Sequence, residues 1–163
     1  MTNSVKDRSS SSLNRVSELD SALELVEQFK WLYKSLNANN CNSGIVDAVY
    51  TQDMLFQDSF HRIEGVDELK EYFSALYLNL KSSEFTFHNH WIGNGSAMLT
   101  WTMTYSHPRL NGGREISMEG ATEIRFGEKV YYHKDYFDGG SLLYEHVPVL
   151  GTVIKQLKKY MAK

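Results

Sequence analysis

The run Ala97-Met98-Leu99-Thr100-Trp101-Thr102-Met103-Thr104-Tyr105-Ser106-His107 alternates bulky apolar residues with β-branched threonines over most of its length. Strand side chains point to opposite faces in turn, so Leu99, Trp101, Met103 and Tyr105 share one face and Thr100, Thr102 and Thr104 the other. Similar runs flank it at Glu84 to Ile92, Arg114 to Phe126 and Lys129 to Phe137, with turn signals at Asn94-Gly95, Asn111-Gly112-Gly113 and Gly127-Glu128. Connections this short join antiparallel neighbours. On the third run Ile116, Met118, Gly120, Thr122 and Ile124 alternate with Glu115, Ser117, Glu119, Glu123 and Arg125. Gly120 in a strand interior predicts a bulge or a place where another group approaches closely.

Upstream of these strands the period changes. Leu19, Ala22, Leu23, Val26, Phe29, Tyr33 and Leu36 recur at helical spacing and predict an amphipathic helix ending in the Asn-rich loop around Cys41. A short helix is expected from Gly44 to Tyr50, an extended segment from Met54 to Ile63, and a further helix carrying Val66, Leu69, Phe73, Leu76 and Leu80. Residues 1–17 hold Ser9 to Ser12 and almost nothing apolar, which predicts a disordered arm with order beginning near Glu18. Leu142 to Tyr160 reads as helix interrupted at Pro148 and Gly151. Helices followed by an antiparallel-rich meander make an α+β pattern, with an arm at 1–17, one domain at 18–140 and an amphipathic extension at 141–163. Long twisted strands curl, and a curled sheet wrapped around helices forms a cone whose open end holds a ligand.

Composition narrows the function classes. The 163 residues form one domain with 42% hydrophobic and 13% aromatic content, rich enough for an aromatic-lined interior. A formal net charge of −3 leaves no electrostatic footprint for nucleic acid. With one cysteine, Cys41, no internal disulfide forms. The polar start lacks the apolar stretch of a secretory signal, and no run reaches transmembrane length, so a cytoplasmic protein is expected. In the extension, Val147, Leu150, Ile154, Leu157 and Met161 form an apolar stripe opposite Lys155, Lys158, Lys159 and Lys163. Such a helix packs on its own domain with solvated lysines, or sits on an anionic membrane or a partner. The threonine face of the central strand, with Met98 at one end, suits packing against a second copy, so a homodimer is expected.

The chemistry concentrates in His133-Lys134-Asp135-Tyr136-Phe137-Asp138. Alternation places Tyr131, His133, Asp135 and Phe137 on one face. If that face lines a cavity, Asp135 is a carboxylate in apolar surroundings, suited to act as a general base; otherwise it is a strand-end residue accepting backbone hydrogen bonds. His88 and His90 share a face by alternation, opposite Phe85, Phe87 and Trp91, and with His133 and Asp135 their spacing permits a metal without requiring one. No metal and no cofactor is predicted.

Beyond these patterns, the segment Phe56-Gln57-Asp58-Ser59-Phe60-His61-Arg62-Ile63-Glu64-Gly65, placed between two helices and the meander, and the ending Gly127 to Asp138 resemble the nuclear transport factor 2-like, SnoaL-like superfamily over Leu19 to Asp138. The resemblance implies a cone with a small-molecule pocket. Asp135-Tyr136-Phe137-Asp138 is similar to the end of the sheet in limonene-epoxide hydrolases, where the first carboxylate activates water. Asp58 resembles in position the proton-shuttling aspartate of ketosteroid isomerases. The departures are specific: Thr100 to Tyr105 lacks the Arg and Asp of the hydrolase strand, and the isomerase oxyanion residues are not matched at Tyr33 and Thr122. Asp135, Asp58 and His133 are therefore the candidate catalytic groups, with Trp101, Met103, Tyr33, Phe56, Phe73, Met118, Thr122 and Phe137 as candidate ligand contacts. The function expected is binding of a small hydrophobic molecule with Asp-based isomerase, cyclase or lyase chemistry. The alternative is a non-catalytic ligand-binding or interaction module, held at a membrane by its last helix.

Overall fold

A computed structural model describes residues 4–142 and 150–161. Its elements run α1 (Ser4–Ser35), α2 (Ile45–Val49), β1 (Tyr50–Gln57), β2 (Arg62–Glu64), α3 (Val66–Asn79), β3 (Ser82–Gly93), β4 (Ser96–Ser106), β5 (Glu115–Phe126), β6 (Val130–Phe137), α4 (Gly139–Leu142) and α5 (Leu150–Met161). The six strands form one mixed, unclosed sheet in the order β2-β1-β6-β5-β4-β3. The four strands β3 to β6 form the predicted antiparallel meander, while the segment expected to be extended over Met54 to Ile63 is a hairpin of β1 and β2 whose first strand pairs parallel with β6. That pairing brings residues near position 50 beside residues near 130, and with them the front of the chain to its last strand.

One face of the sheet is covered by helices. Leu25, Val26, Phe29, Leu32, Tyr33 and Leu36 of α1, Val46 and Val49 of α2, and Val66, Leu69, Phe73 and Tyr77 of α3 are buried with inward residues of β1, β4, β5 and β6. On β4 the expected alternation holds, with Ala97, Leu99, Trp101, Met103 and Tyr105 buried. Across the outer face the threonines are half-buried, and two of their hydroxyls are engaged: His88 Nε2 meets Thr102 Oγ1 at 2.8 Å, and the Asn89 amide donates to Thr100 Oγ1.

Three expectations are corrected. The first helix, expected from near Glu18, spans Ser4–Ser35. No proline or glycine interrupts residues 4–35, and a nucleated helix propagates through polar sequence at little cost. Its buried stripe is also rotated: Leu25 and Leu32 face the sheet, while Leu19 and Leu23 are exposed. Two bulges break the alternation that the sequence suggested. Between Phe87 and His90 the β3–β4 register shifts, so His90 turns to the helix side, where Lys30 Nζ lies 3.0 Å from its Nδ1, and Trp91 turns outward. His88 and His90 thus do not share a face. Between Arg125 and Phe126 the β5–β6 register shifts likewise, leaving Tyr131 exposed and off the face of His133. In the C-terminal extension, α5 is helical as expected but runs through Gly151, where an interruption was expected, α4 lies just ahead of the expected helix, and Val147, Pro148 and Lys163 lie outside the described residues.

Gly120 is a point of close approach and not a bulge, because the β4–β5 register runs through it without a break. A Cβ built there would sit 2.3 Å from Trp101 Cη2, so the indole lies across the bare backbone. The ring cannot yield, since its Nε1 is hydrogen-bonded to Thr122. Gly120→Ala should destabilise the protein by about 1–3 kcal/mol through overpacking, and Trp101→Leu should suppress most of that added cost in the double variant. Urea unfolding of the four proteins measures both quantities, and additive losses would contradict the contact.

Candidate functional site

His133 is the centre of the site. Its side chain is 0% exposed, although it stands on a strand one residue from the half-exposed Lys134. Four rings enclose it: Tyr50 stacked at 6.0 Å, and Phe29, Phe56 and Tyr33 edge-on at 5.3, 4.9 and 5.7 Å between centroids. Phe56 is also its direct partner in the parallel β1–β6 pairing. An imidazole buried so completely must have both nitrogens satisfied within the protein. Nε2 lies 2.8 Å from Asp135 Oδ1, and Nδ1 lies 2.7 Å from the Tyr50 hydroxyl and 3.2 Å from that of Tyr33. The two hydroxyls are 3.0 Å apart.

The chain continues beyond Asp135, and its direction follows from donor counting. Trp101 Nε1–H has no acceptor capacity and donates to Thr122 Oγ1 at 2.8 Å. Thr122 then donates its own proton to Asp135 Oδ1 at 2.5 Å. Oδ1 also accepts from His133, which places a proton on Nε2, and in the neutral imidazole Nδ1 then accepts from Tyr50. Tyr33 in turn donates to Tyr50, and every donor has one acceptor. Among the described residues no hydrogen bond reaches Asp135 Oδ2, and the Asp135 side chain retains 16% exposure. A carboxylate held in this way keeps the lone pairs of its second oxygen uncommitted.

This polar chain runs between two apolar clusters. Tyr33, Phe56 and Phe73 belong to the larger one, under the helices. Trp101, Met103 and Met118 belong to a second, with Tyr105 and Ile116, against which Phe137 packs. The candidate contacts are therefore divided, with Thr122 buried between them. Asp58 is outside the chain. Its side chain is 4% exposed and saturated: Oδ1 accepts from the backbone amides of Phe60 and His61 at 2.7 and 2.6 Å, and Oδ2 from Tyr72 at 3.0 Å. His61 Nδ1 also lies 3.2 Å from Oδ1, so these two residues hold the β1–β2 turn. Tyr72 relates the two carboxylates, because its phenol is pushed up by burial first, then by the charge of Asp58, and to a smaller extent by that of Asp135.

Sequence reasoning did not single out Tyr50, Phe29 or Tyr72. Nothing local marks Tyr50, since its role depends on a pairing across 83 residues. Cys41, placed correctly in a loop, is fully buried because Asn37 and Asn40 tie the turn and its Sγ donates to the Asn37 carbonyl at 3.1 Å. Among the described residues no three His, Cys, Asp or Glu side chains are grouped to hold a metal ion, and no helix is long and apolar enough to cross a membrane.

A helix-covered, unclosed mixed sheet with its polar chain at the β5–β6 seam defines a nuclear transport factor 2-like cone, and solved structures of that class superpose on it. A candidate SnoaL-like polyketide cyclase from Jannaschia sp. CCS1 shares 12% identity, covering 78% of this chain and 94% of its own, with a TM-score of 0.65. An LEH-like epoxide hydrolase from M. tuberculosis shares 16% identity, covering 73% and 84%, with a TM-score of 0.59. A ketosteroid isomerase-like protein from Catenulispora acidiphila DSM 44928, solved with trimethylamine, shares 14%, covering 77% and 94%, with a TM-score of 0.64. No curated protein matches the chain. The SnoaL-like domain model matches residues 32–133, and the chain belongs to that family.

The buried phenols give this site an alkaline signature. Burial, ahead of every other cause, pushes Tyr33 and Tyr50 well above the ordinary phenol range, and the charge of Asp135 acts in the same direction. Because the folded values are raised, this contribution to stability is present below the unfolded value of about 10 and is lost as pH climbs toward the folded values. In a spectrophotometric titration, the phenolate absorbance of these tyrosines should appear together with loss of near-ultraviolet circular dichroism. Their ionisation in a still-folded protein would contradict the buried network.

Proposed function

We propose that this SnoaL-like protein binds a small hydrophobic molecule at the open end of its cone and uses Asp135 as a base to remove a proton from carbon next to a carbonyl, in isomerase, cyclase or lyase chemistry. One observation carries the reading. Donors converge on Asp135 Oδ1 from His133 and Thr122 while Oδ2 is left without a partner among the described residues. In the proposed step Oδ2 takes the proton, the C–H electron pair moves into the C=C bond of an enolate, and the carbonyl oxygen takes the charge. His133 holds the carboxylate and does not itself meet the substrate. Asp58, saturated by its turn and by Tyr72, positions that phenol near the site. The side chains suited to meet the ligand are Trp101, Met103, Met118 and Phe137, with Tyr33, Phe56 and Phe73 behind them. The working protein in this reading is a homodimer joined through the Thr100, Thr102 and Thr104 face, in the cytoplasm, needing no cofactor.

The names of the superposed structures support this chemistry only by analogy, since at such identities the likeness is one of fold. A second reading has its own observation: Trp101, Met103, Met118 and Phe137 pack on one another, which suits a binding or interaction module without chemistry. Deuterium incorporation from D2O into cyclic ketones, followed by NMR, separates the two. Wild-type protein should catalyse exchange, and Asp135→Asn should lower the rate about a hundredfold or more while ligand binding, read from Trp101 fluorescence in a Trp31→Phe/Trp91→Phe background, is retained. Binding with no exchange above background in either protein would select the second reading.

A further inference from the structure

Two helices leave apolar stripes uncovered; α1 as a whole carries no net charge, but its stretch from Glu18 to Glu24 is acidic, whereas α5 is basic. On α1, Val16, Leu19 and Leu23 are exposed at spacings of three and four, with Trp31 two turns further on; Leu19 is 56% exposed. Glu18, Asp20 and Glu24 surround this stripe, all exposed and without an ion pair among the described residues. On α5, Val153, Leu157, Tyr160 and Met161 are exposed, and Leu157 is also 56% exposed. From Leu150 to Met161 that helix contains three lysines and no acidic residue. Both stripes follow the three-and-four spacing by which two helices interlock side chains.

Beside the α1 stripe lies a seat. An open groove of about 750 Å³ runs between α1 and the two turns at its end of the sheet, lined by Leu19, Ala22, Ile92 and Phe126 with Glu18 and Arg15 at its margin. The same chain does not carry α5 there. Lys158 Nζ is 3.1 Å from Asp138 Oδ2, which fixes α5 near the C-terminal end of β6, whereas Gly127 of the groove precedes the start of that strand. Eight residues of strand separate the two places by about 26 Å.

We propose that α5 of one molecule docks on the exposed α1 stripe and groove of a second copy of this chain. Lysines of α5 then lie beside Glu18, Asp20 and Glu24, and the two apolar stripes close on each other. The contact joins two different surfaces, so it either closes as a pair of reciprocal docks or runs on as a chain. It is separate from the threonine face of the sheet, so a dimer formed there leaves both stripes available.

The test uses full-length protein prepared with natural-abundance and with heavy nitrogen, mixed in equal amounts, refolded together and coupled with a carbodiimide. Mass spectrometry should find α5 lysines joined to Glu18, Asp20 or Glu24 in peptides of mixed isotope. Leu157→Asp, at an exposed position that leaves the core intact, should raise the dissociation constant for association about tenfold and abolish those peptides. Coupling of Asp20→Lys/Glu24→Lys chains should fall and return when the partner carries Lys155→Glu/Lys159→Glu. Coupled peptides of a single isotope only, or association that Leu157→Asp leaves unchanged, would overturn the proposal. Flotation with phosphatidylserine–phosphatidylcholine vesicles, lost in Leu157→Asp and accompanied by no mixed peptides in solution, would assign the helix to a lipid surface and also overturn it.

Discussion

Complete burial of the His133 imidazole is the constraint around which this fold is arranged. A ring nitrogen left unpaired in an apolar interior costs about 1–3 kcal/mol, and His133 has two nitrogens to satisfy. One is met within its own strand by Asp135, two residues along. The other requires hydroxyls from Tyr33 on the first helix and Tyr50 at the start of the first strand. Three distant parts of the chain must therefore reach one ring in correct orientation. Apolar packing alone would tolerate some sliding of α1 over the sheet; the hydroxyl contacts do not.

The same constraint organises the far side of the site. Asp135 is held by Thr122, Thr122 by Trp101, and Trp101 by the missing side chain of Gly120. A polar path thus crosses from one apolar cluster to the other, with each group oriented by the next. Preorganisation of this kind is what a reacting carboxylate needs, because donors already aimed at Oδ1 need not reorganise when charge on the group changes.

Much of this was legible in the sequence, for identifiable reasons. The strands were readable because alternation from Ala97 to Tyr105 is uninterrupted, and the turns because Asn-Gly and Gly-Gly pairs mark them. Alternation put Trp101 on one face of its strand and His133 with Asp135 on one face of theirs, and the hydrogen bonds through Thr122 join them. Two of the failures share one cause, which is that a bulge has no reliable local signature. One extra residue near His88 reversed the faces of His90 and Trp91, and another near Tyr131 removed that ring from the site. The α1 stripe was misplaced because the helix carries two apolar stripes, and only the sheet decides which of them is buried. Asp58 was found by its position in a family pattern, but its hydrogen bonds to a turn could not be seen until the turn itself was placed.

The parallel pairing of β1 with β6 also governs the order in which the chain can fold. The β3–β6 meander joins neighbours in sequence and closes short loops, whereas Tyr50 meets His133 across 83 residues and Tyr33 meets it across 100. Closing such long loops costs more chain entropy, and contacts of that separation are gained late. The ring that completes the site is thus enclosed only in the last stage of collapse. A molecule without that pairing holds only the four-stranded β3–β6 meander and an unprotected histidine, so chemical access to one imidazole reports on whether the entire fold has been reached.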